Sequence, residues 1–225
     1  MSELDGCVFL SWRSFGNWYG KAKLHLDGGV TAGGQGTVDD FDSAKKVVFY
    51  SGTLNAHAGI DLLLDAFEKI GAQEIELWIC GKGENQKVRK MAKADARIKY
   101  FGCVSEARLH SLCQKASVMV NPRPSRFLAN RNNFPSKLLE YLSYGKPVVS
   151  TFTPGIHPEY IPYLKIPAEE TPDAMASAIM EVLAWPRTQV KERAEETQQF
   201  LAKSKSWKVQ ATRLVSFLES VVSNH

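Results

Sequence analysis

The chain has 225 residues, with 28 Lys+Arg against 24 Asp+Glu, 44% hydrophobic and 10% aromatic residues. These values belong to a globular protein and exclude collagen-like, coiled-coil and disordered classes. A compact chain of this length buries roughly 70–75% of the surface its unfolded form exposes, so one large domain or two small ones can stand without a disulfide or metal staple. The longest apolar-rich runs, 60–67 and 77–80, fall far short of the roughly 18–20 residues that cross a bilayer.

The four cysteines, Cys7, Cys80, Cys103 and Cys113, form no CxxC pair. Cys80 ends an apolar run and reads as a reduced core residue of a cytosolic protein, with disulfide or zinc duty as the alternative. Residues 1–5 are acidic where a signal peptide is basic, and no long apolar stretch follows, so the expectation is a cytoplasmic protein.

In chain order, two short apolar runs (7–10 and 22–26) flank Trp12, Phe15, Trp18 and Tyr19. A glycine-rich stretch, 28–36, and three aspartates follow. No helical pattern comes directly after these glycines, so a linker fits better than a phosphate loop, and a boundary is expected near residue 40. Strand-like runs then fall at 46–51, 75–80, 98–101, 117–120, 147–151 and 163–166, with helix-like stretches between most of them. In one such stretch Ile60, Leu63, Leu64, Phe67 and Ile70 recur at helical spacing. The alternation predicts an α/β fold, a doubly wound Rossmann-like parallel sheet with C-terminal helices, whose ligands bind outside the carboxyl ends of its strands. From residue 171 onward the chain reads as helical, with breaks at 185–186 and 204–206. Its last segment places Trp207, Ala211, Leu214, Leu218 and Val221 on one stripe, to pack on its own domain or to dock on a partner.

The strand ends carry the chemistry. Gly52 and Thr53 follow the first strand, and Gly59 opens the next helix; His57 in the loop between is either solvated or an anion contact. Gly81-Lys82-Gly83 follows the second strand but lacks the third glycine of a dinucleotide fingerprint, since Gln86 stands there. Residues 81–99 hold seven cations against two acids, either a solvated helix face or a patch for an anionic surface. Between Asn121 and Leu139 lie four cations and no acid. A helix is expected from Pro135 or Ser136, closed by Gly145. Lys137 in its first turn opposes the helix dipole unless something negative lies opposite, and a phosphate held by the first-turn amides and Lys137, with Arg131 near, would remove the conflict. Glu140, three residues on, either pairs with Lys137 or accepts the two hydroxyls of a ribose.

The stretch from Phe134 to Ser150 resembles the signature of retaining glycosyltransferases of family four, which have the GT-B fold. Ser51-Gly52-Thr53-Leu54 with Gly59, Ile79-Cys80-Gly81-Lys82-Gly83, Tyr100-Phe101-Gly102-Cys103-Val104 and Ala116 to Pro122 extend the likeness over about residues 45–160. The resemblance implies a donor half, 41–225, that binds a nucleotide diphosphate sugar, preceded by a remnant of the acceptor domain and its linker, 1–40. By the same resemblance Glu140 contacts the ribose, Gly102, Cys103 and Val104 the base, Gly52 and Thr53 the diphosphate, and Asn132, Asn133 and Phe134 the sugar, with Gly81 a further nucleotide-sugar-binding residue. Pro135, Ser136, Lys137 and Arg131 complete the phosphate end, with Asn132 and Glu140 as the catalytic candidates.

Three positions depart from the family's pattern. Its first glutamate falls on Asn132, and its arginine and lysine after the first strand fall on Thr53 and Ala58, so Lys137 and Arg131 are expected to supply the missing charge. No cofactor or metal and no nucleic acid is expected. The expected partners are the donor, an acceptor-binding domain or separate subunit, and a membrane face reached through that absent half. A non-catalytic nucleotide-sugar-binding subunit is the alternative.

Overall fold

The structure is a computed structural model and describes residues 4–20, 22–31 and 45–223. Five parallel strands form the central sheet: β3 (Lys46–Ser51), β4 (Ile75–Cys80), β5 (Ile98–Gly102), β6 (Val118–Asn121) and β7 (Val148–Ser150), in the order β5-β4-β3-β6-β7. The first two strands, β1 (Gly6–Phe9) and β2 (Ala22–His25), make a separate parallel pair joined through α1 (Trp12–Gly16). The remaining helices are α2 (Ile60–Glu68), α3 (Gln86–Ala94), α4 (Glu106–Lys115), α5 (Leu128–Asn132), α6 (Ser136–Ser143), α7 (Pro172–Leu183), α8 (Arg187–Phe200) and α9 (Trp207–Val222).

β3 is buried on both faces, as a central parallel strand must be. Val48 and Tyr50 join Leu63 and Phe67 of α2 and Ile179 of α7 on one face. Val47 and Phe49 join Leu112 of α4 and Leu138 and Leu142 of α6 on the other. Cys80 and Cys113 sit in this second layer as free thiols, pushed up by burial to about 11 and about 12. Because the chain runs outward from β3 to β5 and then returns to β6 on the far side of β3, the connections diverge there, which opens a crevice at the strands' carboxyl ends.

Five of the six expected strands form. The sixth, 163–166, does not: Pro158–Tyr163 is a 3₁₀ helix, and only Lys165 bridges Val149. Pro162 and Pro167 flank this stretch and cannot donate to a ladder, which limits the pairing to the residue between them. The glycine-rich segment beyond Thr31, the aspartates after it and the boundary near residue 40 lie outside the described residues. The basic stretch is not one patch. Arg97 pairs with Asp95 at 2.7 Å and donates to the carbonyls of Ile70 and Ala72, while Lys87 pairs with Asp65 across α2.

α9 buries only part of the expected stripe. Trp207, Ala211 and Leu218 are exposed, although the Trp207 ring overlies Gly29, while Leu214 and Val221 are half-buried. Val221 packs beside Gly6 together with Phe217, which lies outside the stripe, and Arg213 donates to the His25 carbonyl at 2.9 Å. Gly6 admits the helix because a Cβ there would lie 2.9 Å from Phe217.

The leading segment is fastened to the body by a buried ion pair. A π-helical turn, Leu201–Lys205, joins α8 to α9 and turns Lys205 inward. Its ammonium lies 2.8 Å from both Asp27 oxygens and 2.8 Å from Glu159, and the Tyr160 hydroxyl donates to Asp27 at 2.7 Å. His25, Asp27 and Glu159 lie close enough together to share a cation, and Lys205 fills that place. Burial lowers the pKa of His25 in this cluster. Lys205→Met leaves Asp27 without its counter-charge in the interior and is expected to cost about 3–5 kcal/mol. Thermal unfolding measures the loss, and the double variant Asp27→Asn/Lys205→Met should recover part of it.

Candidate functional site

A cavity of about 310 Å³ opens over the carboxyl ends of β3, β4 and β5. Ser51, Gly52 and Thr53 form one wall, Gly81 and Lys82 a second, and Cys103 and Val104 a third. Lys137 reaches in from α6. Backbone bonds hold the walls together: Gly52 N–H donates to Cys80, Gly81 N–H to Gly102 and Leu54 N–H to Lys82, at 3.0, 2.9 and 2.8 Å.

Glycine is required at 81 on two counts. Its φ is +149°, and a Cβ there would overlap the Gly52 carbonyl oxygen. Such backbone-on-backbone contact leaves room at the strand ends that side chains would otherwise fill.

The fourth side of the cavity depends on Tyr141. Its buried hydroxyl donates to the Ser51 carbonyl at 2.9 Å and accepts from the Ser51 N–H at 2.8 Å, tying α6 to the end of β3. Burial raises its pKa, so it remains a phenol. Ser51 Oγ, by contrast, is buried with no partner at the cavity wall.

α6 begins at Ser136, with Pro135 as its N-cap and no side chain capping it. The Ser136 and Lys137 amides therefore have no side-chain cap to compete with an anion, whereas the Leu138 N–H donates to the Pro135 carbonyl at 2.8 Å. Lys137 does not wait for that anion: its ammonium contacts both Glu140 oxygens, at 2.9 and 2.7 Å, so the intrahelical pair is formed and offsets the charge conflict with the dipole. A second cavity of about 610 Å³ lies against this pair; it shares Lys137 and Leu109 with the first and is also walled by Glu140.

The structure thus brings Gly52, Thr53, Gly81, Cys103, Val104 and Lys137 to one cavity and Glu140 to its neighbour. Gly102 supports the wall through its carbonyl. The other expected residues lie elsewhere. Arg131, Asn132 and Asn133 are exposed on α5 and just beyond it, and neither cavity's wall includes them. The Asn132 carbonyl accepts from Ser14 of α1 at 3.5 Å. Phe134 packs on Tyr160 in the second core layer, with centroids 5.4 Å apart. His57 stacks on Phe127, and its carbonyl accepts from the buried Asn130 at 2.7 Å.

Ser51, Cys80, Lys82 and Leu109 also wall the cavity and are absent from the residues expected there. For Lys82 a signal existed, a cation between two glycines directly after a strand. Leu109 had none, because its place depends on where α4 packs.

The sheet order and the crevice at its strand ends define a Rossmann-like domain of the GT-B type. The chain belongs to the glycosyl transferases group 1 family, whose model matches residues 45–184. Among solved structures it is similar to the sucrose-phosphate synthase of Thermosynechococcus elongatus (TM-score 0.77, 16% identity, 99% of this chain and 60% of that one). It is similar also to a glycosyltransferase of Rickettsia africae (TM-score 0.76, 14% identity, 97% and 64%) and to Anabaena HepE, solved with UDP and glucose (TM-score 0.71, 13% identity, 95% and 62%). The chain therefore spans less than two thirds of the length of each. No curated protein sequence matches it.

Gly81→Ala is expected to destabilise the domain by several kcal/mol, because the new Cβ meets backbone that cannot move aside without breaking the Gly52–Cys80 bond. Denaturant unfolding measures it, and a loss below about 1 kcal/mol would contradict the close approach.

Proposed function

We propose that this chain is the donor half of a retaining, family-four glycosyltransferase, and that the cavity at the strand ends holds a nucleotide diphosphate sugar. The observation that carries the reading is the pairing of two cations, Lys82 and Lys137, with glycine-walled space and the uncapped start of α6. Anion binding draws on such open amides together with nearby positive charge.

In this reading the diphosphate lies against Gly52, Thr53 and Gly81 and takes Lys137 as its counter-charge. The ribose hydroxyls compete with Lys137 for the Glu140 carboxylate, and the base lies along Gly102, Cys103 and Val104. The departing diphosphate gains negative charge as the glycosidic bond loosens, and cations fixed in advance lower the cost of that step. Side chains and helix amides serve in place of a metal or cofactor. Arg131 and the stretch Asn132, Asn133, Phe134, Pro135 and Ser136 are assigned to the sugar and phosphate ends of the site; for the exposed Asn132 and Asn133 this requires donor or acceptor to approach from the open side.

The acceptor, a glycan or a lipid-linked glycan, is assigned to an acceptor-binding half or separate subunit, with residues 1–40 belonging to that half and its linker. The neighbours' greater length supports this assignment. Association with the inner face of a membrane would come through that half; no helix among the described residues is long and apolar enough to cross one. Transfer by this chain alone is expected to be weak or absent. A second reading, a non-catalytic nucleotide-sugar-binding subunit, draws on Asn132, which carries no charge where the resembling family has a carboxylate.

A thermal-shift panel of UDP, GDP, ADP and CDP against wild type and Glu140→Ala tests the site. At least one nucleotide should raise the unfolding temperature of wild type and raise that of Glu140→Ala less; no shift with any of them refutes the reading. Lys137→Ala should weaken nucleoside diphosphate binding by about tenfold or more, the usual effect of losing a charged hydrogen bond. Unchanged affinity by calorimetry would remove Lys137 from the phosphate site.

A further inference from the structure

We infer that Glu106 selects the base of the donor and that the preferred nucleotide carries guanine. The inference rests on the donor-site reading above and adds to it the identity of the base.

The cationic end of the site lies in the first cavity, at Lys82 and Lys137. The larger cavity continues past Lys137 and Leu109 and is walled beyond them by Glu106, His110, Glu140 and Tyr144. A base that lies along Cys103 and Val104 in the first cavity meets this space across Leu109, where its outer edge comes to Glu106. Leu109, common to both cavities, offers aliphatic surface to a flat ring.

The polar groups of this wall are not equally available. Glu140 has both oxygens on Lys137. His110 Nδ1 lies 3.2 Å from the Tyr144 hydroxyl. Glu106 is exposed on the first turn of α4, two residues beyond Val104, and its carboxylate makes no hydrogen bond or ion pair among the described residues. Glu106 therefore brings to the nucleoside space an acceptor of two hydrogen bonds with none of its own to give.

The bases respond differently to such a group. Guanine presents N1–H and the 2-amino group side by side, two donors that match a carboxylate's two oxygens. Uracil presents one N–H between two carbonyls, and both carbonyls would be repelled. Adenine and cytosine each set one amino group beside a ring nitrogen lone pair. A carboxylate on this edge thus favours guanine and works against the other three.

A structural role for Glu106 is also at hand, since an acid in the first turn of α4 suits the helix dipole and Ser105 already caps that helix. Such a role would affect all nucleotides alike, so the ranking of nucleotides separates the two. Calorimetric affinities of GDP, IDP and UDP should be compared for wild type and Glu106→Gln; IDP keeps the N1–H and lacks the 2-amino group. Wild type should bind GDP about tenfold or more tighter than UDP, with IDP between them. In Glu106→Gln, GDP should fall towards the UDP level while UDP changes by less than about threefold. GDP and UDP within about threefold of each other in wild type would overturn the inference and leave the donor site standing, as would equal weakening of all three nucleotides by the substitution. No binding of any nucleotide by wild type would overturn both.

Discussion

The bond pair between the Tyr141 hydroxyl and the Ser51 backbone joins the two parts of the site that come from opposite sides of the sheet's switch point. β3 ends at Ser51, and α6 starts at Ser136, 85 residues later in sequence. Other directional bonds to α6 reach its far end, where Gln198 donates to the Leu142 and Ser143 carbonyls, and apolar packing, which is non-directional, supplies the rest. The hydroxyl fixes the helix along its axis as well as against the sheet. Lys137 therefore faces the glycine walls at a set height, and the Gly52–Gly81 backbone contact limits the side chains between them.

Charge in the site is arranged unusually for its resemblance. Thr53 and Ala58 leave the first wall without cations, and the positive charge comes from Lys82 after β4 and Lys137 on α6. Lys137 is held by Glu140, so the cation that would meet a diphosphate and the carboxylate that would meet a ribose neutralise one another. Both are about one-third exposed, and a pair of that kind is worth little in water. Its members can separate at small cost when other partners arrive, as the proposed donor site requires.

The leading β1–α1–β2 unit stands apart from the central sheet but not from the domain. Asp27 and Lys205 are almost fully buried, and α9 returns across β1 and β2. α1 also touches the edge of the site, where Trp12 N–H donates to Gly155 and Ser14 to Asn132. Movement of this unit would thus be felt at the loop assigned to the sugar.

Five strands, the register of their burial and the start of α6 were legible in the sequence because each rests on local patterns: unbroken apolar runs for strands buried on both faces, a 3.6-residue period for α2, proline and glycine at the ends of α6. The stretch 163–166 misled because its apolar residues imitate a strand while the prolines on both sides deny it a ladder. The glycines at 52 and 81 could be recognised as sites of close approach, yet not that they approach each other. The stripe on α9 is covered only in part for a related reason: periodicity shows that a helix has an apolar face, and only the position of Gly6 and the β1–β2 pair decides how much of that face is covered. By itself the sequence determined the order of the elements and the residues at the strand ends. The tertiary structure alone decided which of those residues meet, retaining Lys137 and Gly81, adding Lys82 and Leu109 and leaving Arg131 outside, because contacts between distant segments depend on packing and directional bonds that no local pattern records.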